Sequence, residues 1–269
     1  MNTYYINLIL KDILMIKKII TSTFASVILL SQLANAEIKL GDKGSLGTIA
    51  FNAGYNSLYI WRGIDQNSGS GSPYIGADLT TPIGLYIGTW TASSNGGGAN
   101  AANTPNQEVD IYGGIAKTFG PITADIGVIE YRYPGSNRNN TPINFLEYYA
   151  KLKLAPDKSP FSIQLAYYLD DTEGAQAAHP TTGAKLTEFG KYYYEISGSL
   201  NLPAFSIASS YGKYNKETDT ITVTISKSMF DMNFAVSYID ADRDSNTTSI
   251  SSKLNSDKNF VVANVSKTF

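Results

Sequence analysis

The sequence predicts an all-β fold: a transmembrane, antiparallel up-and-down β-barrel of about twelve strands, preceded by a cleaved signal peptide. Three observations carry this prediction. The N-terminal region has the parts of an export signal. The remainder repeats segments of about ten residues in which apolar and polar side chains alternate. The last such segment closes on Phe269.

The export signal comes first. Met15, where the start of translation is read, is followed by Ile16-Lys17-Lys18 as a positive n-region. Residues 19–33 form an apolar stretch, and Ala34-Asn35-Ala36 is an A-x-A cleavage signature. The apolar run falls short of the ~20 residues that a membrane-spanning helix needs. The expected organisation is therefore a signal peptide over 1–36 and a barrel domain over 37–269. Removing three lysines and one aspartate with the peptide moves the formal charge from −2 to −4, a balance that does not point to a nucleic-acid binder. The chain has no cysteine, so it has no disulfide framework and no thiolate metal site. It also lacks the cysteine that a lipoprotein carries after its cleavage site. Beyond residue 36 no apolar run is long enough for a helix to cross a bilayer, which excludes a helical bundle.

The strands follow in order. In the first, Ile49, Phe51, Ala53, Tyr55, Tyr59 and Trp61 share one face, opposite Ala50, Asn52, Gly54, Asn56 and Arg62. Further strands are expected near 74–81, 85–93, 108–115, 122–128, 146–154, 161–170 and 192–200, then near 204–214, 219–228, 232–241 and 259–269. Short connections (Thr81 to Gly84, Phe119-Gly120-Pro121, Ala155 to Pro160, Leu202-Pro203, Phe230-Asp231) alternate with longer ones at 64–73, 94–106, 134–143, 171–189 and 240–258, and a modest one at 214–218. That rhythm belongs to a barrel with turns on one side of a membrane and loops on the other. Twelve is even and puts both chain ends on one side; ten or fourteen strands also fit the spacing. A soluble β-sandwich would alternate too, but it does not account for the loop rhythm or for the terminal phenylalanine. Val261, Ala263 and Val265 precede Phe269 on one strand face, the pattern of an assembly signal for outer-membrane barrels.

In hydrocarbon every backbone N–H and C=O must pair internally, and a closed sheet does this without an edge. Its outside must be apolar, while its inside can be polar. The chain holds 19 Tyr and 2 Trp, enough for aromatic girdles at both interfaces. Tyr59, Trp61, Tyr131, Tyr133 and Tyr167 are expected in the loop-side girdle. Glu130 and Arg132 fall on the lipid-facing side of the pattern. They either lie above the membrane or follow a bulge that switches faces.

A search for reaction chemistry yields little. His179 is the one histidine, in a Gly/Ala/Thr-rich loop without the nucleophile and orienting partner of a Ser-His site. Asp240-Ala241-Asp242-Arg243-Asp244 opens like a calcium loop, but Ser245 and Ser251 stand where Gly and Glu are required. The stretch reads as an acidic exposed loop, with a weak divalent site shared with lipopolysaccharide phosphates as the lesser alternative. Ser93-Ser94-Asn95-Gly96-Gly97-Gly98 lacks the lysine and context of a phosphate loop. No catalytic, cofactor-binding or metal site is expected.

The informative set is the charge predicted to face the lumen: Asp78, Glu108, Asp110, Asp125, Glu147, Asp170 and Glu195 against Arg62, Lys151 and Lys153. Such charges set ion selectivity, and here acids outnumber bases. They can also pair across strands and plug the interior. Eight strands are filled by side chains and sixteen leave a channel, so twelve leaves both states open.

Tyr59-Ile60-Trp61-Arg62-Gly63-Ile64, Gly84-Leu85-Tyr86-Ile87-Gly88-Thr89-Trp90, Glu108-Val109-Asp110-Ile111-Tyr112-Gly113, Tyr131-Arg132-Tyr133-Pro134-Gly135 and Glu147-Tyr148-Tyr149-Ala150 resemble, in order, stretches of the TorF-type porin family of proteobacteria, also labelled Gcw_chp. The resemblance covers most of 48–170 and implies an outer-membrane barrel without catalytic residues. The function expected is passive diffusion of small hydrophilic solutes or ions, with a mild cation preference. The alternative is a plugged barrel with a structural or surface-interaction role. Expected partners are outer-membrane lipid and lipopolysaccharide, the barrel-assembly machinery, and small solutes, with no nucleic acid and no cofactor.

Overall fold

The computed structural model describes residues 37–94, 106–134, 144–170, 192–214, 218–243 and 258–269. The expected signal peptide over 1–36, His179, the glycine run at 96–98, Asp244, Ser245 and Ser251 lie outside them. Fifteen strands are formed in this region: β1 Ile38–Leu40, β2 Gly47–Asn56, β3 Ile60–Trp61, β4 Ile64–Asp65, β5 Ser72–Thr80, β6 Leu85–Ala92, β7 Glu108–Phe119, β8 Ile122–Arg132, β9 Phe145–Leu154, β10 Phe161–Asp170, β11 Tyr192–Asn201, β12 Ser206–Tyr214, β13 Thr218–Met229, β14 Met232–Arg243 and β15 Lys258–Thr268.

Twelve of these, β2 and β5 to β15, pair antiparallel with their sequence neighbours. β2 pairs with both β5 and β15, which closes the barrel. The closing seam is built in two parts. β15 pairs with Asn52–Asn56, and the short β1 pairs with Gly47–Ile49 further along the same edge. Between them Phe51 and Phe269 exchange two backbone hydrogen bonds of 3.2 and 2.7 Å. No edge is left unpaired along the closing strand, as a sheet in lipid requires.

Alternation assigns the faces. Ile75, Ile87, Ile111, Ile126, Leu152, Leu165, Ile196, Ile221, Val236 and Val261 are exposed on the outside, where only hydrocarbon accommodates such a band. Tyr148, Tyr167, Tyr194, Tyr211 and Tyr238 are exposed on the same face. Tyr167, Tyr192 and Tyr194 stack with ring centroids 6.4 and 6.5 Å apart. At the opposite end Phe119, Phe161 and Phe230 are exposed. Glu130 and Arg132 form a 2.8 Å ion pair on the outer face at the loop end of β8. The register of β8 runs unbroken from Ile122 to Arg132, so no bulge reverses its faces.

One expectation for the first strand is corrected. The barrel strand stops at Asn56, and Tyr59 and Trp61 are not on the lipid face. Ser57 holds the exit: its N–H donates to Ala263 O, and its Oγ accepts from Ala263 N, both at 2.8 Å. Residues 57–71 then turn into the barrel, carrying the β3–β4 hairpin.

Candidate functional site: the lumen and its inserted hairpin

The hairpin is a two-residue turn. Trp61 pairs with Ile64, and Arg62 and Gly63 between them have φ of 47° and 78°, the left-handed pair of a type I′ turn. Gly63 has to be glycine for a second reason. A Cβ there would stand 2.8 Å from the Ala241 Cβ and 3.1 and 3.2 Å from the Thr218 and Thr220 methyls. The base is tied by Gln66 N–H donating to Tyr59 O at 2.7 Å. The following turn is tied by the Asp65 carboxylate, which accepts from Asn67 and Gly69 N–H at 2.9 and 2.6 Å.

At the tip, the Arg62 guanidinium donates through Nη1 and Nη2 to the two Glu147 oxygens at 2.6 and 2.8 Å. The two side chains keep 5% and 1% exposure, so the pair is out of water. Tyr131 Oη donates to the same carboxylate at 3.1 Å. Around the guanidinium stand the rings of Tyr193 (4.2 Å to centroid), Trp61 (4.3 Å), Tyr168 (4.9 Å) and Tyr214 (5.3 Å). Burial alone would depress the Arg62 pKa. The Glu147 hydrogen bonds and charge reverse that, and the group lies above its ordinary value. It is a fixed cation.

A second contact lies on the other flank. Tyr59 Oη donates to Glu108 Oε1 at 2.8 Å, and its ring meets Trp90 edge-on at 5.7 Å. Burial, then Glu108 and Asp110, hold the Tyr59 hydroxyl well above its ordinary pKa; burial and Glu108 do the same at Tyr133. Both remain donors. Tyr131 and Tyr133 were expected in the outer girdle beside Tyr167. Tyr131 is instead a lumen residue, stacked on Phe145 at 4.4 Å, and Tyr133 stands against Glu108. Only Tyr167 of the expected girdle faces outward.

The inserted hairpin therefore touches β6 and β7 through Tyr59, β9 to β12 through Arg62, and β13 and β14 through Gly63. At its level Thr218, Thr220, Ala241 and Val262 are buried. Toward the short turns, the inward Ser210, Thr222, Thr224, Ser237 and Ser266 are only part-buried and Ala208 is exposed. Among the described residues the hairpin narrows the loop side of the lumen.

Of the residues expected to line the lumen, the structure brings Arg62, Glu108, Asp110 and Glu147 together around the hairpin. Asp170 is in register beside Glu147. Asp110 is 6% exposed, and its Oδ1 has no hydrogen-bond partner among the described residues. A second layer lies deeper. Asp78 accepts from Tyr112 and from Asn52 at 3.3 Å. Asp125 accepts from Tyr86 and faces Lys151 at 3.8 Å. Glu195 accepts from Tyr193 at 2.8 Å. Lys153 is exposed near the short-turn mouth. Asp240 and Asp242 stand on the outer face. No group of three metal-ligating side chains is found among the described residues.

Several inward tyrosines lie across glycines of the next strand. A Cβ at Gly54, Gly88 or Gly127 would fall 2.4–2.5 Å from the ring atoms of Tyr74, Tyr112 or Tyr149. The glycines let the rings lie flat on the wall: Tyr112 then donates to Asp78, Tyr149 meets the Tyr86 hydroxyl, and Tyr74 accepts from Asn264 Nδ2.

A family model described as a bacterial protein of unknown function (Gcw_chp) matches residues 42–269, and the chain belongs to that family. No curated relative matches it in sequence. Among solved structures it is similar to the KdgM porin (TM-score 0.50, 10% identity, 82% of this chain and 99% of that one). It is also similar to the NanC porin (TM-score 0.52, 13% identity, 81% and 98%). At these identities the likeness is one of fold. The outer-membrane phospholipase A of Escherichia coli aligns at TM-score 0.45 and 10% identity over 87% and 93%.

Proposed function

We propose that the protein is a passive outer-membrane channel of the TorF type. In this reading it admits small hydrophilic solutes, prefers cations, and is narrowed near its outer mouth by the 57–71 segment. The observation that carries the reading is the character of the inward acids. Asp78, Glu108 and Glu195 are held by tyrosine hydroxyls, which stabilise a carboxylate without cancelling its charge. Among the described residues the inward ion pairs are those of Glu147 with Arg62 and Asp125 with Lys151. A lumen with uncompensated negative charge attracts cations and repels anions. The similar KdgM and NanC barrels carry the name porin, which agrees with a conducting role. Lipid and lipopolysaccharide would surround the barrel, and the assembly machinery would insert it after signal-peptide removal, reading Val261, Ala263, Val265 and Phe269. Transport would be diffusion, with no catalytic step and no cofactor.

The inserted hairpin favours a second reading, a plugged barrel with a structural or surface role. Single-channel recording in planar bilayers separates the two, on protein whose heat-modifiable gel migration confirms folding. Discrete steps with cation-biased reversal potentials are expected. Anion bias would overturn the charge argument, and a folded barrel without conductance would favour the plugged reading.

A further inference from the structure

The Arg62 side chain occupies what amounts to a receptor. Glu147 offers both oxygens to a planar fork, and Tyr168, Tyr193 and Tyr214 present rings to its faces at 4.2–5.3 Å. These groups stand on β9 to β12 of the barrel wall. Their occupant comes from a turn that projects into the lumen. We propose that this wall is a binding site for solutes bearing a guanidinium group, and that Arg62 fills it in competition with them.

Three observations support an exchangeable occupant. First, Arg62 leaves part of the receptor unsatisfied. Glu147, Glu108 and Asp110 are buried around one guanidinium, and Asp110 Oδ1 has no hydrogen-bond partner among the described residues. A ligand with a second donor centre would give that oxygen the partner that Arg62 does not. Second, Arg62 is held at φ 47°, a left-handed conformation that strains a non-glycine residue, so the occupant is placed by its turn rather than by the wall alone. Third, among the described residues the one ion pair between the hairpin and the wall is at the receptor itself; its other contacts include the hydrogen bond from Tyr59 to Glu108, the Trp61 ring against Tyr131, Phe145 and Tyr214, and the packing of Gly63.

The chemistry also ranks ligands. A guanidinium makes two parallel hydrogen bonds and stacks on rings, whereas an ammonium keeps the charge and loses the fork. A ligand carboxylate would meet Glu108 and Asp110. Agmatine, with a guanidinium at one end and an amine at the other, should bind best, followed by arginine and then lysine. The inference deepens the channel reading by naming a solute class.

The test measures binding apart from conduction. Arg62→Gly suits it, because glycine adopts φ 47° without strain and vacates the receptor. Calorimetric titration of agmatine into the refolded variant in detergent should give saturable binding, tighter than to the wild-type protein, in which Arg62 competes. Adding Glu147→Gln should weaken it about tenfold or more, the scale of a lost charge-assisted hydrogen bond. In bilayers agmatine should block the Arg62→Gly channel in parallel with that affinity. Absence of binding to folded Arg62→Gly, or binding indifferent to Glu147→Gln, overturns the proposal. Should Arg62→Gly fail to fold, Arg62→Asn, which tolerates the left-handed conformation and carries no cation, replaces it under the same criteria. Glu147-dependent binding without conductance in any variant would retire the channel reading and leave the site standing.

Discussion

Between β5 and β10 the inward positions carry Tyr86, Asp78, Tyr112, Asp110, Asp125, Tyr149, Glu147 and Lys151. Between β12 and β15 they carry Ser206, Ala208, Ser210, Thr222, Thr224, Ser226, Ala235, Ser237 and Ser266. The first wall is bulky, charged and cross-linked by side-chain hydrogen bonds. On the short-turn side of the hairpin the second is mostly small, hydroxylated and neutral, with pairs such as Thr224 to Ser237 at 2.8 Å, while Tyr214, Ile239 and Val262 are buried at the level of the hairpin and above it. A twelve-stranded barrel is too wide for one wall to fill and too narrow for both to be bulky. The difference divides the labour: one wall supplies charge and anchors the hairpin, the other supplies the space beside it.

The sharpest way to break this comparison is to remove the anchor. Glu147→Ala leaves the Arg62 guanidinium buried without its partner, a loss of ~3–5 kcal/mol for a buried pair. The tip is expected to leave the wall, raising single-channel conductance several-fold while gel migration stays that of a folded barrel. Unchanged conductance would mean that the charged wall does not hold the hairpin.

Gly63→Val attacks the hairpin from the opposite wall. Its side chain would run into Ala241, Thr218 and Thr220 and would need φ 78°, which strains a branched residue most. Opening is expected again, though smaller than for Glu147→Ala because the Arg62–Glu147 pair still pulls inward. Conductance measured on the two variants and on their combination tells whether the two contacts act on one element. The combination should add little to Glu147→Ala alone.

These two walls were legible in the sequence to different depths. The strands were readable because period-two alternation is imposed by lipid outside and polar contents inside, and Ile221-Thr222-Val223-Thr224-Ile225 obeys it as plainly as any. The hairpin was not. Tyr55, Tyr59 and Trp61 keep alternating past Asn56, because β3 is also extended and an extended segment keeps its period whether it lies in the wall or crosses the lumen. Two signals point to the break. Leu58 and Ile60 put apolar residues on the face assigned to the lumen, and Arg62-Gly63 can form a tight turn. The charged residues were readable as a set, while their partners were not. Arg62 and Glu147 are 85 positions apart, and nothing local pairs them. Tyr131 and Tyr133 were misread as girdle because a tyrosine at a strand end suits an interface and a carboxylate partner equally well.

A third change tests how the charged wall is built. Gly88→Ala puts a Cβ 2.4 Å from the Tyr112 ring and 2.6 Å from Asp78 Oδ1, so the ring must lift off the wall. Overpacking of this kind costs ~1–3 kcal/mol, and a lower thermal transition of the detergent-refolded protein is expected. Ser210→Ala on the hydroxyl wall, where space remains, should leave the transition in place. Equal effects at both positions would argue that the two walls are packed alike.

The smallest effects concern selectivity, and they separate depth from charge. Thr222→Lys places a cation on the neutral wall, in the lumen and away from the Asp125–Lys151 pair, and should shift the reversal potential toward anions. Lys151→Gln should shift it the other way, since Asp125 loses its basic partner. Lys153→Gln removes the same charge two residues nearer the short-turn mouth, where Lys153 is exposed. Screening at physiological salt acts within about 8 Å, so water and ions at the mouth already damp that charge. The expected shift is toward cations and well below that of Lys151→Gln. If Lys153→Gln matched it, selectivity would be set at the wide inner mouth, and the contrast between the walls would bear on packing alone.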